Sequence, residues 1–138
     1  MSSLHENQIG ERVLKCAITL HRNLGPGLLE SVYEALLANA LTEAGLLVQR
    51  QAIVPIRYEG LFIEEGFRAD LIVEKKVILE LKSVERISPA HKKQLLTYLK
   101  LSGLKVGYLL NFGEALMKNG ISRTICGELS PCLGQWRP

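Results

Sequence analysis

The chain of 138 residues has no His or Cys group at zinc-ligand spacing, and its three cysteines, Cys16, Cys126 and Cys132, are odd in number. Free thiols in a reducing cytosol are the expectation. There is no phosphate loop, no Gly-x-Ser-x-Gly elbow and no Cys/His pair, so nothing points to a nucleotide kinase, a serine hydrolase or a thiol enzyme. No apolar run is long enough to span a membrane, and the start, Met1 to Gln8, lacks an apolar signal region. A cytoplasmic location without membrane attachment is therefore expected. The net charge of +3 is too small to establish nucleic-acid binding by itself. No internal repeat and no low-complexity linker interrupts the chain.

What is present is concentrated between Arg68 and Lys82. This stretch reads as two apolar strands joined by a charged turn. Asp70, Glu80 and Lys82 stand where a strand normally carries aliphatic side chains. Side chains alternate along a strand. Leu71, Val73, Val77, Leu79 and Leu81 then make one wholly apolar face, which must meet a core. Asp70 and Ile72 lie on the other face, as do Ile78, Glu80 and Lys82. Keeping the apolar face intact requires an even register that pairs Val73 with Val77 and Asp70 with Glu80. A two-residue loop of Lys75-Lys76 would shift the pairing by one and mix the faces. Directly opposed residues have Cβ atoms about 5 Å apart, where two carboxylates repel unless a cation compensates. The bland alternative is a hairpin with one wet face carrying three solvated charges.

Two more segments bear on that choice. Gly25-Pro26-Gly27 breaks one helix and starts another, which runs from Leu28 to Ala44. Glu30 falls in helical line with Tyr33, Leu37 and Leu41, so an inward-facing, largely buried Glu30 is expected. The rival reading is a first-turn acid favoured by the helix dipole. Later, Ser88-Pro89 opens a helix with an apolar face of Leu95, Leu96 and Leu99. His91, Gln94 and Tyr98 make a separate strip, of which Gln94 and Tyr98 are expected near the end of the Glu80 strand and His91 is expected to be exposed.

Taken in order, these pieces resemble a known group. Gly27-x-x-Glu30-x-x-Tyr33 looks like the signature of the bacterial GxxExxY family, placed in the PD-(D/E)xK nuclease superfamily near its RecB-type branch. The order of helix Glu30, strand Asp70, strand Glu80-Leu81-Lys82 and helix Gln94-x-x-x-Tyr98 matches from about Gln8 to Cys126. Ala69 departs from the proline common before the aspartate. The resemblance implies metal-assisted phosphodiester hydrolysis by a metal-nuclease core. Mg²⁺, or Mn²⁺, would be held by Asp70 and Glu80, with the Leu81 carbonyl completing the protein ligands and Glu30 serving a second ion or a water. Lys82 would orient or deprotonate the attacking water or balance phosphate charge. Gln94 and Tyr98 would position the phosphate or Glu30. Arg50, Arg68, Arg86, Lys93 and Lys100, together with Lys82, would form a basic patch for nucleic acid, DNA before RNA, and a homodimer is a further expectation. The alternative is a binding module on the same fold that no longer cuts.

The expected architecture is a single α/β domain over residues 1–127, a restriction-endonuclease-like mixed central sheet flanked by helices, followed by an irregular tail over 128–138. A first helix spans Gln8 to Leu24, with Ile9, Val13, Ala17 and Leu20 on one face. A first strand covers Leu47 to Tyr58 and a bend holds Glu59-Gly60. A buried strand runs from Val106 to Asn111, parallel to the Glu80 strand across the intervening helix. A segment from Ser122 to Cys126 adds an edge. In the tail, Trp136 is read as a clasp or a partner contact.

Overall fold

The computed structural model describes residues 4–127. Expectations for the 128–138 tail, Trp136 and Cys132 included, lie outside the described residues. Three helices, α1 (Glu6–Leu24), α2 (Glu30–Glu43) and α3 (Pro89–Ser102), flank five strands. The strands are β1 (Val48–Tyr58), β2 (Leu61–Val73), β3 (Val77–Lys82), β4 (Val106–Asn111) and β5 (Ile121–Ile125). They form one sheet in the order β1-β2-β3-β4-β5. β3 and β4 are parallel and the other neighbours antiparallel, so the sheet is mixed and the domain α/β, as expected. The expectation did not include the length of β2, 13 residues, or the short 3-10 helix Met117–Gly120.

The register is the even one. Val73 pairs with Val77 and Leu71 with Leu79 across a three-residue loop of Glu74, Lys75 and Lys76. Glu74 and Lys75 both adopt left-handed backbone (φ 55° and 56°), uncommon for residues with a Cβ. The apolar face explains why the loop bears this. Leu71, Val73, Val77, Leu79 and Leu81 all sit in one core with Ile9, Val13 and Ala17 of α1 and Tyr33, Leu37 and Leu41 of α2. Burying each contributes about 2 kcal/mol, so a one-residue slip that turned β3 over would forfeit ~6 kcal/mol from Val77, Leu79 and Leu81. Two carboxylates 4 Å apart repel by only ~4 kcal/mol at an effective dielectric of 20. Core burial therefore wins and draws Asp70 toward Glu80. Leu20, expected on the same helix face, is only partly buried at the margin of this core.

The opposite sheet face carries a second core, in which Leu95 and Leu99 of α3 pack on Ala52, Val54, Ala69, Ile72, Ile78 and Leu109. α3 begins with a capping box. The Ser88 hydroxyl accepts from the His91 N–H at 3.3 Å, and His91 Nδ1 accepts from the Ser88 N–H at 3.1 Å. His91 is thus half-buried by its capping role rather than exposed. Among the described cysteines, Cys16 is a free thiol and Cys126 is disulfide-bonded. This corrects the expectation of a free thiol at Cys126.

Tyr33 shows what the Gly-Pro-Gly entry into α2 requires. Its ring is fully buried and stacks on Phe112 with centroids 4.4 Å apart. Its hydroxyl donates to the Gly25 carbonyl at 2.6 Å and accepts from the Leu28 N–H at 3.1 Å. The ring anchors α2, and the hydroxyl ties down a turn in which Gly25 and Gly27 have φ of 74° and 114°. Tyr33→Phe is expected to cost about 1–2 kcal/mol, because it removes two hydrogen bonds and leaves the ring. Urea denaturation checks this; an unchanged midpoint would show that the hydroxyl contributes nothing.

Candidate functional site

The β2–β3 ladder stops at Leu71 and Leu79, so the next backbone groups that face this seam lack partners across it. Side chains take their place. Glu80 Oε2 accepts from the Asp70 N–H at 3.1 Å, and Asp70 Oδ2 accepts from the Leu81 N–H at 2.9 Å. Each carboxylate thus reaches across to the other residue's strand. The two groups meet where β2 and β3 separate.

Their surroundings disfavour charge. Burial, followed by the neighbouring Asp70 charge, pushes the Glu80 carboxyl up to about 8. Asp70 is also raised, chiefly by burial, although the Leu81 N–H opposes the rise. Lys82 is half-buried beside them and pulls both down, but less than burial raises them. Asp70, Glu80 and Lys82 are therefore together, as the alternation required.

Glu30 is placed differently. It is exposed, at the first residue of α2, and accepts from the Ser83 N–H at 3.3 Å just beyond the end of β3. The expectation of a largely buried Glu30 is overturned. Its direction around the helix was right, but helical spacing gives direction and not depth. The first turn of α2 overhangs the end of the sheet. It borders an open cleft of about 410 Å³ lined by Leu28, Leu29, Glu30, Ser31 and Ser83.

One turn further on, about 6 Å along the axis, Glu34 holds the buried position, at 6% exposure. It is close enough that its charge raises both Asp70 and Glu80. Both its oxygens are occupied. Arg50 Nε donates to Oε2 at 3.2 Å, and Gln51 Nε2 donates to Oε1 at 2.6 Å. Gln51 Nε2 also lies 3.5 Å from Asp70 Oδ1. Neither Glu34 nor Gln51 was singled out from the sequence. Glu34 had a signal, since it lies in line with Ala38 and Leu41, which are buried. Gln51 had none, because its reach depends on a left-handed backbone (φ 48°) inside β1.

On the α3 side, Tyr98 stacks on Phe67 with centroids 3.9 Å apart. Burial raises its phenol, and the charges of Glu80 and Asp70 raise it further, so it faces the carboxylates. Gln94, one turn earlier, is exposed and its side chain makes no hydrogen bond among the described residues, so it is not tied to the carboxylates or to Glu30. Arg68, Arg86, Lys93 and Lys100 are exposed and form no ion pair among the described residues. Arg50 is instead paired with Glu34.

The donors around Asp70 and Glu80 are oxygens, the type that suits Mg²⁺ or Mn²⁺. No group of three His, Cys, Asp or Glu side chains stands at ligand spacing among the described residues. A buried carboxyl and a half-buried one, both with raised proton affinity, still fit such an ion, because Mg²⁺ keeps several waters and needs only one or two protein carboxylates. No described helix is long and apolar enough to cross a membrane.

A family model for the PD-(D/E)XK nuclease superfamily matches residues 7–124. No curated protein and no solved structure matches the chain.

Proposed function

The chain belongs to the PD-(D/E)XK nuclease superfamily, and from this we propose that it is a divalent-cation-dependent nuclease that hydrolyses phosphodiester bonds in nucleic acid, DNA in preference to RNA. The observation that carries the reading is the meeting of Asp70, Glu80 and Lys82 where β2 and β3 part. Asp70 and Glu80 would hold Mg²⁺ or Mn²⁺ together with the Leu81 carbonyl. A bound cation supplies Lewis-acid polarisation of the phosphate and a nucleophile at neutral pH. The chain's own groups do the rest. Lys82 orients the attacking water and offsets charge that builds on the phosphate as its bond to the leaving oxygen breaks. Glu34 adds negative charge beside the pair, and Tyr98 closes the α3 side. Glu30, beside Ser83 beyond the end of β3, would meet solvent or a second ion. Arg68, Arg86, Lys93 and Lys100 are free to contact backbone phosphates, and such contacts make binding salt-dependent. Gly27, Glu30 and Tyr33 support placement in the GxxExxY group, and Gln94 with Tyr98 supports the RecB-type branch.

The test combines binding and cleavage. Mg²⁺ or Mn²⁺ is expected to raise the melting temperature of the wild type, and Asp70→Asn is expected to abolish that rise and the cutting of a panel of duplex DNA, single-stranded DNA and RNA. Wild-type protein that binds the panel without cutting it in either cation would replace this reading with a binding module.

A further inference from the structure

The least ordinary backbone near the site belongs to Gln51. Its neighbours keep the ladder, with Arg50 paired to Leu71 and Ala52 to Ala69, yet Gln51 itself has φ 48°. Left-handed backbone costs a residue with a Cβ roughly 1–2 kcal/mol, and such strain persists only where surrounding contacts hold it. The contacts here are two carboxylates. The Gln51 amide nitrogen donates to Glu34 at 2.6 Å and lies 3.5 Å from Asp70. Both partners are acceptors only, so it is the NH₂ end that faces them, with one hydrogen for each. That is the place where a positive charge would relieve the repulsion between these groups.

We propose that Gln51 is a positioning residue that stands in for a cation: its amide bridges Glu34 and Asp70 in the ion-free protein and gives way when a divalent ion binds. The proposal rests on the cation-site reading above for its second half only. The amide carries partial positive charge on its hydrogens, enough to hold the carboxylates but far less than an ion. It competes with an ion for Glu34 Oε1 and Asp70 Oδ1. An ion that displaces it would also free Glu34 from one of its two donors, leaving Arg50 as the other.

The consequence is an inverse relation between ion-free stability and ion affinity. Four variants test it: Gln51→Lys, Gln51→Ala and Gln51→Glu, with Gln49→Ala as a control on the exposed part of the same strand. In EDTA, melting temperature is expected to fall in the order Lys, wild-type Gln, Ala, Glu at position 51. The Ala variant should melt about 5 °C below wild type, the scale of a lost charge-assisted hydrogen bond in a domain of this size. Mn²⁺ affinity by calorimetry is expected to rise in that same sequence, with Ala binding several-fold tighter than wild type and Lys showing no measurable binding. Gln49→Ala should change neither. A purely structural Gln51 would lower stability in Ala without tightening Mn²⁺, and that result overturns the proposal. So does an Ala variant that melts with wild type in EDTA. If the wild type binds no divalent ion, the nuclease reading fails through its own test, while the EDTA order still decides whether Gln51 is the bridge.

Discussion

Glu80→Gln is expected to abolish cleavage and, at the same time, to make the ion-free protein more stable above neutral pH. The two effects share one cause. Glu80 is 6% exposed and its carboxyl is pushed up to about 8 by burial and by Asp70. At pH 9 the wild-type side chain must be ionised in a poorly hydrated place beside another acid. The amide of Gln has the same shape, is neutral, and keeps an oxygen to accept the Asp70 N–H at the 3.1 Å contact. The gain is expected to be about 2–4 kcal/mol at pH 9, since each tenfold change in proton affinity corresponds to ~1.4 kcal/mol. The loss of activity is expected to be ~10³-fold or more, because the amide withdraws the charge that would hold the cation, and such an ion contributes several kcal/mol to the transition state. Denaturation in EDTA and cleavage in Mg²⁺ read the two halves separately. A Glu80→Gln variant less stable than wild type at pH 9 would mean that the carboxylate is stabilised by partners the geometry does not show.

The second large effect is on pH dependence. The Glu80 carboxyl has an ordinary value of 4.5 and a folded value of about 8. Between those limits the folded protein keeps a proton that the unfolded chain has released. Stability is therefore fully present below 4.5, declines as pH rises toward 8, and levels off above. Asp70 is raised as well and adds to the decline in the same direction. The total is on the order of 4 kcal/mol. A divalent cation binds the ionised forms, so saturating Mg²⁺ is expected to flatten or reverse the slope between pH 5 and 8. Melting curves across that range, with EDTA and with Mg²⁺, check it. A flat profile in EDTA would show that the two carboxylates are better solvated than their burial implies.

The parts of this arrangement that were legible in the sequence are those controlled by parity. Five aliphatic residues on one face leave a single register for β2 and β3, and with it the meeting of Asp70 and Glu80. Val106–Asn111 was legible as a buried strand because its run is continuous and short, and all six residues are buried. Glu30 and Glu34 mark the limit of periodicity. Both point toward the sheet, and which one is buried depends on where the helix sits along its axis, a matter of tertiary packing. Gln51 lies beyond that limit, since an alternating strand gives no sign of one left-handed residue. The 13-residue β2 was equally hidden. Leu61, Phe62 and Ile63 are exposed, so no buried face marks that end of the strand.

The most direct test of the central claim is cleavage of plasmid DNA by the wild type and Glu80→Gln, side by side in Mg²⁺, Mn²⁺ and EDTA. Nicking or degradation by the wild type in either cation, none in EDTA, and none by the variant under any condition is the expected result. Cutting by Glu80→Gln at the wild-type rate, or cutting that survives EDTA, would contradict it.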